Sequence, residues 1–331
     1  MRLFPRTLAL ASMTMLAMGA ASADAVPAPA ERSALLDVRT ARVLLMREHP
    51  RGKMCSERIR VRVGKKYKVR WKQRNCSTVV AVIGIPGTGA LEVVRFPWGA
   101  VDILTDRFVF HRIGAAKGVN THYQVSLRRS SKEPEYLGHA ILAWKVPIRN
   151  RKTGHWDAAV YTPYSRALHR PEIITEGRKY FRRVMREART ALAHGAVRSR
   201  VDAEQFVTDV VPRTTTAAIA IVEKVDHREF AECGGRSACI ERLVDVTRVV
   251  LGVNGPRAYQ YAVSHAGARG FMQFTPRTWE MVRGQYPRAK LPAFVVGSVD
   301  HRTSVIASVL LNDYNLTLLS DAHAGALRRN P

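Results

Sequence analysis

The chain has 331 residues, with 53 Lys and Arg against 27 Asp and Glu, a net charge of +26, and 46% apolar residues. That length and apolar content supply a real core, enough for one large domain or two ordinary ones. The charge draws the chain to polyanions, and by itself it does not choose among nucleic acid, anionic membrane and bacterial cell wall.

The first residues narrow the choice. Arg2 and Arg6 precede the apolar run "TLALASMTMLAMGA", and "ASA" ends at Ala23. A basic start, an apolar run too short to span a bilayer and an A-x-A site read as a secretory signal over residues 1–23. Losing its two arginines takes the charge from +26 to +24. An exported chain is a poor partner for nucleic acid, so none is expected. No later stretch is long and apolar enough to span a membrane, and no cysteine near the cleavage site suggests a lipid anchor.

Residues 24–33 read as a flexible mature N-terminus. The next segment is strongly basic: from Arg51 to Asn75 there are eleven Lys or Arg and one acid, Glu57. Within it "RIRVRVGKKYKVRW" alternates charge and apolar side chain, the period of a half-exposed strand, and is expected to be the wet face of a sheet. Strand-like runs continue to residue 147 ("TVVAVIGI", "RFVFHRI", "HAILAWKV"), punctuated by Pro86-Gly87 and Gly114. A β-rich basic domain over 24–165 follows, its role unassigned.

Near residue 170 the period changes. Ile174, Phe181, Val184, Met185, Ala188 and Leu192 recur at helical spacing, between a Pro171 start and a Gly195 stop. From 166 to 331 the chain reads as mostly helical, so the fold class is α+β. Four cysteines in an exported chain point to two disulfides, and the sequence-local pairing Cys55–Cys76 and Cys233–Cys239 is preferred over a zinc site. His227 and His265 read as local polar residues, and no cofactor or metal is expected.

The apolar run "TTTAAIAIVEKVDH" ends in one carboxylate, Glu223, which on a helix shares a face with Ile219 and Ala220. Desolvation there would favour the protonated form that a general acid needs, but on this local pattern alone an ordinary solvated Glu near a helix end is the stronger expectation. Later comes "SHAGARGFMQ", whose Gly267 and Gly270 let the backbone approach a neighbour closely before Met272 and Gln273. Thr275 and Pro276 then suit a helix start.

The contiguous stretch "AVSHAGARGFMQFTPRTW" (262–279) resembles the lytic transglycosylases of the soluble, goose-lysozyme-like superfamily, over roughly the last 120 residues. The resemblance implies a lysozyme-like helical domain that cleaves the MurNAc–GlcNAc bond of peptidoglycan in the periplasm. Glu223 would be the single acid and then base, and the product a 1,6-anhydro sugar. Ser264, Gly270, Met272 and Gln273 would match its substrate-binding positions. A goose-type lysozyme-like hydrolase and a catalytically inactive peptidoglycan-binding protein are the alternatives. The chain departs from the family's pattern in three ways. Lys224 stands where the family has Ser. Forty-two residues separate Glu223 from Ala266, read as an insertion closed by the Cys233–Cys239 loop, with Glu229, Glu232 and Glu241 as rival acids inside it. The family's last Tyr motif has only "DYN" (313–315) to match, one helix early, so Tyr314 reads as an ordinary helix residue and the C-terminus as truncated.

Overall fold

A computed structural model describes residues 33–63, 66–98, 102–114, 118–128, 138–150 and 153–329. The expected signal (1–23) and flexible N-terminus lie outside them. The chain is α+β, β-rich in its N-terminal half and helical after it.

It opens with a helix that its charge had obscured. Ala34, Val38, Ala41 and Leu45 form one buried stripe along α1 (Ala34–Met46), which packs on β3 (Thr78–Gly84) and β8 (Ala140–Arg149). Buried Asp37 on the same helix accepts the Gly87 and Gly89 N–H groups at 2.7 and 3.2 Å, and so fixes the turn after β3.

The first two strands, β1 (Met54–Val63) and β2 (Lys66–Asn75), pair only with each other. The expected wet face of a sheet is thus a free ribbon, stapled at its base by Cys55–Cys76. Tyr67, Val69 and Trp71 are 69%, 46% and 69% exposed. The alternation is real, but among the described residues no third strand joins the pair.

A four-stranded antiparallel sheet runs in the order β4 (Leu91–Pro97), β3, β8, β9 (Trp156–Tyr161). The strand β3 is buried along almost its whole length. Its near-continuous Val/Ile run fits a strand covered on both faces. One cover is α1. The other is the three-stranded sheet β5 (Asp102–Leu104), β6 (Phe108–Ile113), β7 (His122–Leu127), joined through the Phe96–Phe110 and Tyr123–Trp144 ring contacts at 4.9 and 5.6 Å.

The helical half is built on α2 (Pro171–His194), which starts at Pro171 and stops at Gly195 as its period requires. After the short α3 (Val207–Val210) come α4 (Arg213–Val222), α5 (His227–Cys233) and α6 (Ser237–Asn254). Helices α2 and α6 nearly touch backbones: a Cβ on Gly177 would lie 1.8 Å from the Arg248 carbonyl oxygen. So the segment between Glu223 and Ala266 carries a core helix as well as a loop. Only its tip is a small loop, closed by Cys233–Cys239, while α6 buries Leu243, Val249, Val250 and Leu251. Then follow α7 (Pro276–Gln285), capped by Thr275 as expected, the short α8 (Phe294–Gly297) and the long α9 (His301–Arg329), which contains Tyr314.

One buried cluster runs from α1 through the sheets to α9. Asn254, at the end of α6, crosses from the helices to the strands. Its amide oxygen accepts the Thr162 N–H and an Arg42 guanidinium N–H, and its amide nitrogen donates to the Thr162 and Val250 carbonyls. Among the described residues no helix is long and apolar enough to cross a membrane.

Candidate functional site

Helix α4 is buried along one face only. Thr216 and Ala220 are its buried residues, and Glu223 closes it as the C-cap, with its N–H on the Ile219 carbonyl. Ala220 faces the core as the spacing predicts, but Glu223 itself is exposed. It is the ordinary solvated Glu near a helix end that the local pattern favours, and not a desolvated carboxyl. The chain turns after the last helical turn, so the apolar face does not extend to the carboxylate.

The residue turned inward is the next one. Lys224 donates from Nζ to the Gly270 carbonyl at 2.9 Å, with the ammonium 5.0 Å from the centre of the Tyr259 ring. Burial pulls this amine down to about 7, against the Glu223 carboxylate, which holds it up. Lys224 thus ties the end of α4 to the glycine loop.

That loop is fixed from several sides. Gly270 has φ +72, and a Cβ there would lie 1.9 Å from the Ser298 carbonyl oxygen, so glycine is required both by conformation and by space. Phe271 is buried among Phe181, Tyr259 and His301, with ring centroids 6.0, 5.8 and 5.0 Å away. His301 accepts the Tyr180 O–H at Nδ1 (2.9 Å) and donates from Nε2 to the Ala258 carbonyl (2.6 Å). That is a neutral tautomer, and burial pulls the imidazole down to about 4.

The remaining expected site residues divide. Ser264 is exposed and caps its own turn, its Oγ accepting the Ala268 N–H at 3.1 Å. Met272 is 5% exposed and belongs to the core. Gln273 is partly buried at φ +48, a conformation that costs a non-glycine residue about 1–2 kcal/mol. Its amide donates to the same Gly270 carbonyl at 2.8 Å. Lys224 and Gln273 therefore converge on one oxygen.

On its other side Glu223 lines a cavity of about 500 Å³ with Asp226, Glu229 and Glu232. The opposite wall comes from the β-rich half through Gly114, His122, Tyr164 and Arg166. A Cβ on Gly114 would lie 3.3 Å from a Glu229 oxygen, so the two halves meet closely here. Burial pulls the His122 imidazole down to about 4, against Asp226. Of the rival acids, Glu229 and Glu232 share this cavity and Glu241 does not. Among the described residues, no three His, Cys, Asp or Glu side chains gather as a metal site requires.

Sequence reasoning missed Lys224 and His301 as structural members of the site. The signal for Lys224 was a charge directly after an apolar helix. For His301 there was none, because its partners lie 43 and 121 residues away in sequence. No protein-family model, curated protein or solved structure matches the chain.

Proposed function

We propose that the chain is an exported, periplasmic peptidoglycan lytic transglycosylase with Glu223 as its acid and base. The observation that carries this reading is the Lys224–Gly270 hydrogen bond, which joins the helix ending in Glu223 to the "GFMQ" loop. Two further facts support it: the exposed Glu223 carboxylate borders a polar cavity, and two disulfides suit an oxidising compartment. The charge of +24 that remains without the signal's two arginines suits an anionic wall polymer.

In this reading the Glu223 carboxyl gives its proton to the glycosidic oxygen as the bond to the anomeric carbon breaks. The sugar's own 6-hydroxyl oxygen closes on that carbon, and its proton returns to the Glu223 carboxylate. Lys224 and Gln273 act as positioning residues that hold the Gly270 turn.

The test is digestion of purified sacculi. The wild type is expected to release 1,6-anhydro muropeptides, and Glu223→Gln to lower that rate about 10²–10⁴-fold, the usual worth of a general acid. Unchanged release by Glu223→Gln would remove Glu223 from the role. Reducing ends alone would make the enzyme a hydrolase of the goose-type lysozyme class. A second reading, a wall-binding protein without catalysis, is favoured by Met272 being buried in the core and Gln273 being bonded within its own loop. It predicts co-sedimentation with sacculi and no soluble fragments.

A further inference from the structure

Helix α4 is apolar on two faces, and only one of them is covered. Its Thr216–Ala220 face packs into the protein. The other face, with Ala217, Ala218 and Ile221, forms one wall of a groove of about 890 Å³. Phe181 and Met185 of α2 and Leu243 of α6 supply the facing wall. At the groove's edge Val222 is 69% exposed and Phe230 51%. A helix that is apolar all round is normally buried on every side, and an apolar patch of this kind marks a binding surface. The volume lies within the range of about 300–1,000 Å³ typical of small-molecule pockets.

Charge chooses the occupant. The groove's lining includes Arg178, Arg182, Arg213 and Arg248 and no carboxylate. Arg248 is paired with Asp245 at 2.6 Å. Arg178, Arg182 and Arg213 are exposed and, among the described residues, have neither a carboxylate nor another acceptor as partner. Arg178 and Arg182 stand one helical turn apart on α2, on the same face. A guanidinium is the side chain best shaped to take a carboxylate or phosphate through two parallel N–H bonds.

We propose that this groove binds a single-chain anionic lipid, its alkyl chain along α4, α2 and α6 and its head among Arg178, Arg182 and Arg213. Glu223 does not line the groove, which shares only Val225 and Leu243 with the cavity that Glu223 lines. Long apolar walls call for an alkyl chain, and a rim of unpaired arginines calls for an anionic head.

The experiment is calorimetric titration of the full chain with dodecanoate and dodecyl phosphate, both below their micellar concentrations. Dodecyl maltoside serves as the neutral control and inorganic phosphate as the head group alone. Saturable binding of both anions is expected, at least tenfold weaker binding of the maltoside, and no saturable heat from phosphate. The double reversal Arg182→Glu/Arg213→Glu should weaken anion binding at least tenfold. Ala218→Trp, at an exposed position, should fill the groove and remove binding, with an unchanged circular dichroism spectrum showing that the variant folds. Equal affinity for the maltoside, saturable binding of phosphate alone, or insensitivity to Ala218→Trp would each overturn the proposal. So would sedimentation showing a concentration-dependent dimer that Ala218→Trp breaks, which would make a second copy the occupant.

Discussion

Replacing Lys224 by Met should make the protein more stable, by an amount that shrinks as pH rises. In the native state burial pulls the amine from 10.5 down to about 7, while in the unfolded chain it titrates at its ordinary value. Between about 7 and 10.5 the unfolded chain therefore holds more protons than the native one, and stability rises with pH through that window. Below about 7 both states are protonated and the destabilisation is complete. Its ceiling is about 5 kcal/mol, from a displacement of 3.5 pKa units (10.5 − 7) at about 1.4 kcal/mol each. Methionine keeps most of the volume and removes the charge, but it also leaves the Gly270 carbonyl without the Lys224 donor. That loss costs about 1–3 kcal/mol, eased because the Gln273 amide still donates to the same oxygen. A net gain of about 2 kcal/mol is expected at pH 6, falling toward zero and then reversing by pH 10, where the wild-type amine is neutral. Urea unfolding of both proteins at pH 6, 8 and 10 reads this directly, since the difference between them cancels the other titrating groups. A Lys224→Met protein less stable than wild type at pH 6, or a difference that stays constant across the three pH values, would refute the reasoning. If the variant is more stable but digests sacculi poorly, a buried amine that costs stability is being kept for the site.

Two other substitutions test the frame around the site. Asn254→Ala removes a side chain with four hydrogen bonds between α6, α1 and the end of β9, and should cost about 3–5 kcal/mol because Thr162 and Arg42 lose buried partners. A change under about 1 kcal/mol in urea unfolding would show that water replaces the amide. Gly270→Ala combines a φ of +72 with a Cβ 1.9 Å from the Ser298 carbonyl oxygen, so the loop must move. A loss of at least about 2 kcal/mol in thermal unfolding is expected, and an unchanged melting temperature would mean that this close approach is absent in solution.

The elements that sequence showed best are those whose burial is written in one local period. The α2 stripe from Ile174 to Leu192 and its Pro171 and Gly195 ends are of this kind, as are the two short-range disulfides. The basic ribbon was legible as strands but not as a free ribbon, because alternation reports the pleat and says nothing about whether a second layer lies against it. Desolvation of Glu223 is absent for a related reason. A helical face continues only while the helix does, and α4 ends at Val222, so the carboxylate leaves the apolar face and Lys224 takes the inward position. The close approach was legible at Gly270 but is not found at Gly267, which has open space around it, and the neighbour of Gly270 could not be named. Ser298, Tyr259 and His301 reach it from other parts of the chain, and only the fold brings them together. Sequence therefore located the loop and the Glu223 carboxylate, while the amine that joins their two segments had to be read from the structure. That amine is also what separates the two readings of the site: a purely structural tether would be served by any neutral donor, whereas an amine with a pKa near 7 changes charge where a proton-transferring site works. Lys224→Gln distinguishes them, since it keeps a donor while removing the titration. If digestion of sacculi loses its dependence on pH around 7 in that variant but keeps its rate at the optimum, Lys224 takes part through its charge, and if neither changes, it is a tether.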